Sequence, residues 1–492
     1  MVKVQKEQSN DESQNSTFLL LIVISIFTAI RITLLLTSQL SLHGDEAQYW
    51  SWSQDLNWGY FTKPPLIAWV IHVTTLLFGN AEWAVRLSSP ILHAGTSFAC
   101  ALIAKEIFGK KVYLWAGITF LTLPAVSFSS FLISTDVPLL FFWSIALYAM
   151  LQILKTRHLS WAILLGIALG LGLLSKYAMC YFLICSLLAC GLIQKHRWFL
   201  KSYHVLISIL IALVIISPNI FWNLYSGWAT VTHLGDNINL KGNLFNLGNA
   251  ASFLAEQAGV FGPILFGVLI ASVIKLLRNK STDAEKWLLC YILPIVMIVT
   301  LQAFLSRANA NWAAVAYVGA TILVSGWLLS NRKNLIIYIS TALHFLVLFI
   351  LAIYFLDLPG IEPPLKSDPL RKLRAWDQTS EQVAKFMNKY PDHKLLTDDR
   401  KTMASLIYGL RAEKYRPLIW DYDGIPNHHY ELAAKYYGKP QDKILLVAKW
   451  DNPYPILDRF LSVERLEKIE VQTGKGRVRT LHVFKLAKYL PG

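Results

Sequence analysis

Cysteine is sparse, and none of it is placed to bind anything. Cys100, Cys180, Cys185, Cys190 and Cys290 all fall inside apolar runs. Their spacing suits neither zinc nor the disulfides of an exposed domain, which leaves them a role in packing. Acidic residues are also few, 31 against 46 Lys and Arg, for a net charge of +15. That excess forms no basic stripe with interleaved aromatics and is spread over short loops and the tail, which argues against nucleic acid as a partner. No glycine-rich phosphate loop is present: Gly166, Gly170 and Gly172 lie within an apolar run and read as close helix contacts. There is no small-residue cleavage site after the first apolar run, and its polar leader carries both signs of charge, so the run reads as a retained anchor rather than a secretory signal. Internal repeats and long low-complexity tracts are missing too.

What is abundant is apolar length. The chain has 492 residues, 54% of them hydrophobic, and its mean hydropathy is +0.43, more than one soluble core requires. About eleven runs long enough to span a bilayer recur, at 17–37, 83–104, 113–133, 137–155, 159–175, 177–194, 202–222, 258–277, 287–305, 311–330 and 334–356. The expectation is an all-α polytopic membrane protein with three parts: a cytoplasmic leader at 1–16, a transmembrane domain at 17–356, and a soluble domain at 357–492. The soluble part opens with a turn-rich linker at 357–364. Glu381–Lys389 reads as a helix, and Lys394–Thr397, Lys443–Ala448 and Thr480–Lys485 read as strands, which makes this part a small α/β domain.

Lys and Arg in short loops resist translocation and so report orientation. Lys105, Lys110 and Lys111, then Lys155 and Arg157, then Lys195, Arg197 and Lys201, then Lys275, Arg278, Lys280 and Lys286, then Arg332 and Lys333 all fall on one side under two conditions. The N-terminus must be cytoplasmic and the run at 64–79 must not cross. That run is therefore expected to be an outer juxtamembrane helix. An odd number of spans leaves the C-terminal domain outside.

With that topology the polar residues cluster at outer ends of spans, where ionisable groups are costly and need a reason. The first outer loop carries His43, Asp45, Glu46, Tyr60 and Lys63, and later outer ends carry Asp136, Lys176, Asn223, Arg307 and Asn311. Asp45 and Glu46 fit a helix N-terminal acidic pair after Gly44, favourable with the helix dipole. They also fit chemistry, but adjacent helical residues point about 100° apart, so Asp45 with Asp136 makes the better functional pair. Lys63, Lys176 and Arg307 break the positive-inside pattern. Each alone fits snorkelling to lipid phosphates; together, beside acidic groups, they form a candidate site for a phosphodiester. Glu46, Tyr60, Asn223 and Asn311 are candidate supporting residues.

The ordered strings DEAQYW, GYFTKPPLIAW, EWAVRLSSP, STDVPLLFF and SKY resemble the bacterial GT-C glycosyltransferases of the protein-mannosyltransferase-like family. Within it they are similar to the lipid A aminoarabinose transferase and, through PNIFWNLYSGWATVTHL and ANANWAAVAY, to lipopolysaccharide-core galacturonosyltransferases. The resemblance covers roughly 17–356. It implies a membrane glycosyltransferase of the bacterial inner membrane with a periplasmic active site, a polyprenyl-phosphate sugar donor and a glycolipid acceptor such as lipid A or lipopolysaccharide core. It makes Asp45 the candidate catalytic carboxylate, Asp136 the second acidic residue and Lys63 a donor-phosphate contact, although many relatives have His before the two prolines. Relatives often use a divalent metal, for which His43, Glu46 and His233 are candidate ligands. The implied chemistry is inverting transfer, with Asp45 as general base and Lys63, Lys176 and Arg307 on the departing phosphate. A protein O-mannosyltransferase shares fold and donor class but takes a Ser or Thr acceptor. A polytopic lipid or sugar transporter would place its charges near mid-membrane.

Overall fold

The computed structural model describes residues 2–228, 230–232, 235, 244–358, 361, 368, 370–424, 426–474 and 476–491, with side chains from Asn15 onward. Most of the expected linker at 357–364 lies outside the described residues; Asp357, Leu358 and Ile361 lie within them. The chain divides into two compact units. The first comprises Met1–Leu36, Lys63–Ile67 and Arg86–Ala352; the second comprises Thr37–Thr62, Ala68–Val85 and Ile353–Gly492. The second unit therefore takes in most of the segment between residues 37 and 85 along with the C-terminal part.

Eleven apolar runs do not become eleven long helices. By length and composition, six described helices could cross a membrane: Asn15–Thr37, Glu82–Phe108, Asp136–Thr156, Tyr203–Tyr225, Asp283–Leu305 and Asn334–Phe355. Leu247–Phe261 and Pro263–Leu277, bent by 115°, make a seventh if taken as one broken span. Leu159–Ser175, Tyr177–Leu192 and Ala316–Ser330 are apolar but shorter, and so is Leu66–Phe78, the run set aside as a juxtamembrane helix. The chain is thus a polytopic membrane protein in which several runs are broken.

The breaks have local causes. Lys110–Thr122 stops before Pro124, and Arg31 Nη2 donates to the Leu121 carbonyl left at the break (2.5 Å). Leu247–Phe261 gives way at Gly262, where φ is +91° and a Cβ would collide with the His344 ring; Pro263 then starts the next helix without an N–H to satisfy.

Lipid tails are as apolar as leucine, so close backbone approach rather than water exclusion holds such helices together. Leu159–Ser175 lies against Tyr203–Tyr225 through glycines. A Cβ on Gly166 would sit 2.7 Å from Ile211 Cβ, one on Gly170 2.7 Å from Ile215 Cβ, and Ser208 Oγ donates to Ala162 O across the contact (2.8 Å). The basic loops of this unit meet one another. Lys155 pairs with Glu106 (2.6 Å), Lys195 pairs with Asp283 (2.9 Å), and Arg157 lies over the Trp198 ring (4.4 Å).

In the second unit the C-terminal part forms a mixed sheet of six strands, β1 Lys394–Thr397, β2 Leu418–Ile419, β3 Lys443–Ala448, β4 Phe460–Arg465, β5 Ile469–Gly474 and β6 Arg477–Tyr489. Its order is β2-β1-β3-β6-β4, with β5 also on β6. β1 pairs parallel with β2 and β3, and β6 runs antiparallel to β3, β4 and β5. Side chains alternate across a strand. Leu395, Leu445, Val447, Leu481 and Val483 therefore line one core with Val383 and Leu406, while Leu396, Ile444, Leu446, Phe484 and Leu486 line the other with Trp420 and Phe460. The expected strands at 394–397 and 443–448 lie where β1 and β3 form, and the expected helix lies within Trp376–Lys389.

Candidate active site

Asp45 sits in the first turn of the helix Gly44–Ser53. His43 is its N-cap: Nδ1 accepts from Asp45 N (3.2 Å), while Glu46 Oε2 accepts from His43 N (2.8 Å), a reciprocal cap. Burial, then nearby Lys401, lowers the His43 pKa below its ordinary value despite the pull of Asp45 and Glu46. Besides accepting in the cap, Nδ1 lies 3.8 Å from Asp45 Oδ2. Glu46 is 2% exposed and committed to the cap.

The group facing Asp45 comes from the C-terminal part. Arg400 Nη2 donates to Asp45 Oδ1 (3.0 Å), and Arg400 Nη1 donates to Gln48 Oε1. Burial would raise the Asp45 pKa, but the Arg400 guanidinium, then His43 and Lys401, hold it below the usual carboxylate value. Tyr60 stacks on Trp52 (4.5 Å, 4°), and its hydroxyl donates to Trp52 O (2.9 Å) and accepts from Asn57 N (3.1 Å). That closes the loop after the helix; burial pushes this phenol up to about 12.

The first unit holds a second polar centre. Asp136 opens the helix Asp136–Thr156, Lys176 caps the end of Leu159–Ser175, and Asn311 lies in the short turn Ala310–Ala313. Lys176 Nζ donates to Asp136 Oδ1 (2.6 Å) and Asn311 Nδ2 donates to Asp136 Oδ2 (2.7 Å). Asn223 donates to the Tyr177 hydroxyl (3.2 Å), which donates to Asn219 Oδ1 (2.7 Å). Lys63 is half-buried in this unit, and Arg307 is exposed, its carbonyl accepting from Gln302 Nε2 (3.5 Å). Three of the expected residues, Asp136, Lys176 and Asn311, are thus brought together.

For a metal the fit is poor. Glu46 and His43 Nδ1 are used in capping, and among the described residues no three His, Cys, Asp or Glu gather to hold an ion. His233 lies outside the described residues.

Over 473 residues the chain is 34% identical to the lipid A galacturonosyltransferase RgtD of Rhizobium johnstonii, covering 95% of this chain and 98% of that one. It belongs to the same family of GT-C glycosyltransferases. The dolichyl-phosphate-mannose-protein mannosyltransferase family model matches residues 62–222 of this glycosyltransferase. The lipopolysaccharide core galacturonosyltransferase RgtA of the same species is 26% identical over 205 residues, 41% of each chain. In fold the enzyme is similar to ArnT from Cupriavidus metallidurans bound to undecaprenyl phosphate, with TM-score 0.68 and 14% identity over 97% of this chain and 99% of that one.

For a glycosyltransferase the two centres offer different chemistry. Asp45 has one oxygen held by Arg400, and among the described residues the other accepts no hydrogen bond. Asp136 has a partner on each oxygen. Sequence reading missed Arg400. The only trace of it is the string Asp398-Asp399-Arg400-Lys401, which starts a helix just after β1.

Proposed function

We propose that this enzyme moves a galacturonosyl group from a polyprenyl-phosphate carrier to lipid A at the periplasmic face of the bacterial inner membrane. The observation that carries this reading is the identity with RgtD, which extends over 95% of the chain rather than over one motif. The shared fold with an enzyme described as bound to undecaprenyl phosphate supports the donor class.

Asp45 is the general base. It takes the proton of an acceptor hydroxyl as that oxygen attacks the anomeric carbon; the bond from that carbon to the phosphate oxygen breaks, and polyprenyl phosphate leaves with the electron pair from the opposite face, inverting the centre. Lys63, Lys176 and Arg307 are the candidate cations for the departing phosphate, and Asp136 with Asn311 orients Lys176. No step is routed through a metal.

The topology that goes with this reading counts the shorter apolar helices, the bent pair and the broken run of Lys110–Thr122 with Pro124–Ser129 among about eleven crossings, keeps the N-terminus cytoplasmic, lays Leu66–Phe78 on the outer surface and leaves the C-terminal domain periplasmic. The mutual contacts of the basic loops at 105–111, 155–157, 195–201 and 278–286 support placing them on one side.

The match of residues 62–222 to the mannosyltransferase family model favours, as a second reading, a protein hydroxyl as acceptor. One experiment separates the two: mass spectrometry of lipid A, core lipopolysaccharide and envelope glycoproteins from matched cells with wild-type, deleted and Asp45→Asn enzyme. Loss of a hexuronosyl mass from lipid A in both mutants is the expected result. Loss from glycoproteins alone selects the second reading, and no change in any fraction with expression confirmed overturns both.

A further inference from the structure

We propose that Arg400 is the positioning residue of the transfer reaction: its guanidinium holds the Asp45 carboxylate in the orientation from which it takes the acceptor proton. This rests on the reading of Asp45 as the base, and it assigns the C-terminal domain a part in the chemistry.

Asp45 and Gln48 stand three residues apart, so the helix Gly44–Ser53 presents them on one face. Arg400 reaches both at once, Nη2 to Asp45 Oδ1 at 3.0 Å and Nη1 to Gln48 Oε1. A planar guanidinium with its donors in a fixed fork sets two partners relative to each other, which an ammonium cannot do. With Oδ1 so occupied, Oδ2 is the oxygen presented to a substrate hydroxyl.

The platform beneath Arg400 is built. Asp399 caps the helix Arg400–Gly409, its Oδ2 accepting from Thr402 N (2.9 Å) and Thr402 Oγ1 (3.0 Å). Gly44 lets the two helices close: a Cβ there would lie 3.1 Å from Lys401 Cβ. Trp50 meets Tyr408 edge-on (4.9 Å), and the Tyr408 hydroxyl donates to Asn80 O (2.7 Å). Arg400 and Lys401 occupy the first turn of their helix, where a cation opposes the helix dipole. Helix stability does not explain an arginine there, whereas a partner on the facing helix does.

The charged and titratable groups around Asp45 are His43 and Glu46 on its own helix segment, Arg400 and Lys401 on the facing helix, and the Tyr430 phenol, which hydrogen-bonds Ser51 on the Asp45 helix (3.0 Å). Of these, Arg400 makes the direct hydrogen bond, so its removal moves the acid limb of the rate profile upward.

The test uses purified full-length enzyme in lipid nanodiscs, an undecaprenyl-phosphate sugar as donor and lipid A as acceptor. Arg400→Gln is expected to lower kcat about 10- to 100-fold, the scale on which misplacing a reacting group acts. KM should stay within about threefold of wild type, because a positioning residue leaves ground-state binding unchanged. The acid limb of kcat should rise. Arg400→Lys restores that limb through its charge but not the full kcat, because the fork is lost. Gln48→Leu, which removes one prong, lowers kcat with no shift of the limb and carries the test together with Arg400→Lys if Arg400→Gln fails to fold. Wild-type kcat and pH profile in a well-folded Arg400→Gln enzyme overturn the proposal, as does a rise in KM alone, which would make Arg400 a substrate contact. Full activity of Asp45→Asn overturns the reading of the base itself; an inactive Asp45→Asn beside an unaffected Arg400→Gln overturns only the positioning role.

Discussion

Asp45 and Asp136 are the same side chain in opposite circumstances. Asp136 is 13% exposed, and its two oxygens take hydrogen bonds from Lys176 and Asn311. Asp45 is 41% exposed, with one oxygen held by Arg400 and the other accepting nothing among the described residues. A carboxylate bound on both sides orders its neighbours; one bound on a single side can still receive a proton. Under the mechanism proposed above, the same residue type is a clamp in the membrane unit and a base in the unit with the C-terminal sheet.

The strongest way to break this comparison is to neutralise each carboxylate in turn. Asp45→Asn should lower transfer by about 10²–10⁴-fold, the range of general-base catalysis. Asp136→Asn should cost far less, about tenfold, through disorder of Lys176. Equal losses in a turnover assay on folded proteins would erase the distinction. A second test addresses the clamp. Lys176→Met leaves the Asp136 carboxylate without its cation in a largely enclosed place, at about 1–3 kcal/mol of stability after allowing for the residual exposure. Adding Asp136→Asn should return most of the melting temperature without returning activity. No recovery in the double variant would mean the pair is not coupled.

The framework that holds the clamp is tested by Gly170→Ala. Its new Cβ would stand 2.7 Å from Ile215 Cβ, so the helices must separate, and a loss of about 1–3 kcal/mol is expected in thermal melts. The smallest effect concerns the sheet. Burial, then the Asp399 charge, raises the Asp398 pKa from 3.8 to about 6. A raised carboxyl pKa means the folded state prefers the protonated form. The penalty for ionising it is therefore absent below pH 3.8, grows as pH rises, and is complete above about 6. Asp398→Asn can still accept from Lys449 N and should gain about 1 kcal/mol at pH 7.5 but little at pH 4. A gain that is equal at both pH values would refute this.

Much of the molecule was legible before folding. The apolar runs show where most of the apolar helices lie, and the strands at 394–397 and 443–448 announce themselves as short buried runs. Asp136, Lys176 and Asn311 stood out because polar groups at the end of a span are costly and therefore visible against their background. Where the reading failed, the cause was geometric: Pro124 and Gly262 with Pro263 break runs that are continuous in hydropathy but not in helix. Tyr60 also closes a loop and Glu46 also caps a helix, contacts that no local pattern announces.

Sequence by itself determined the membrane class, the helical framework, the two-part division into apolar and soluble composition, and the family resemblance, because each is written in local composition or short ordered strings. Only the tertiary structure decided that Gly44–Ser53 folds in one unit with the C-terminal sheet and that Arg400, 355 residues further along, reaches Asp45. An arginine in a soluble segment carries no desolvation penalty that would mark it out, and its partner is chosen by how two helices meet, which no local pattern records.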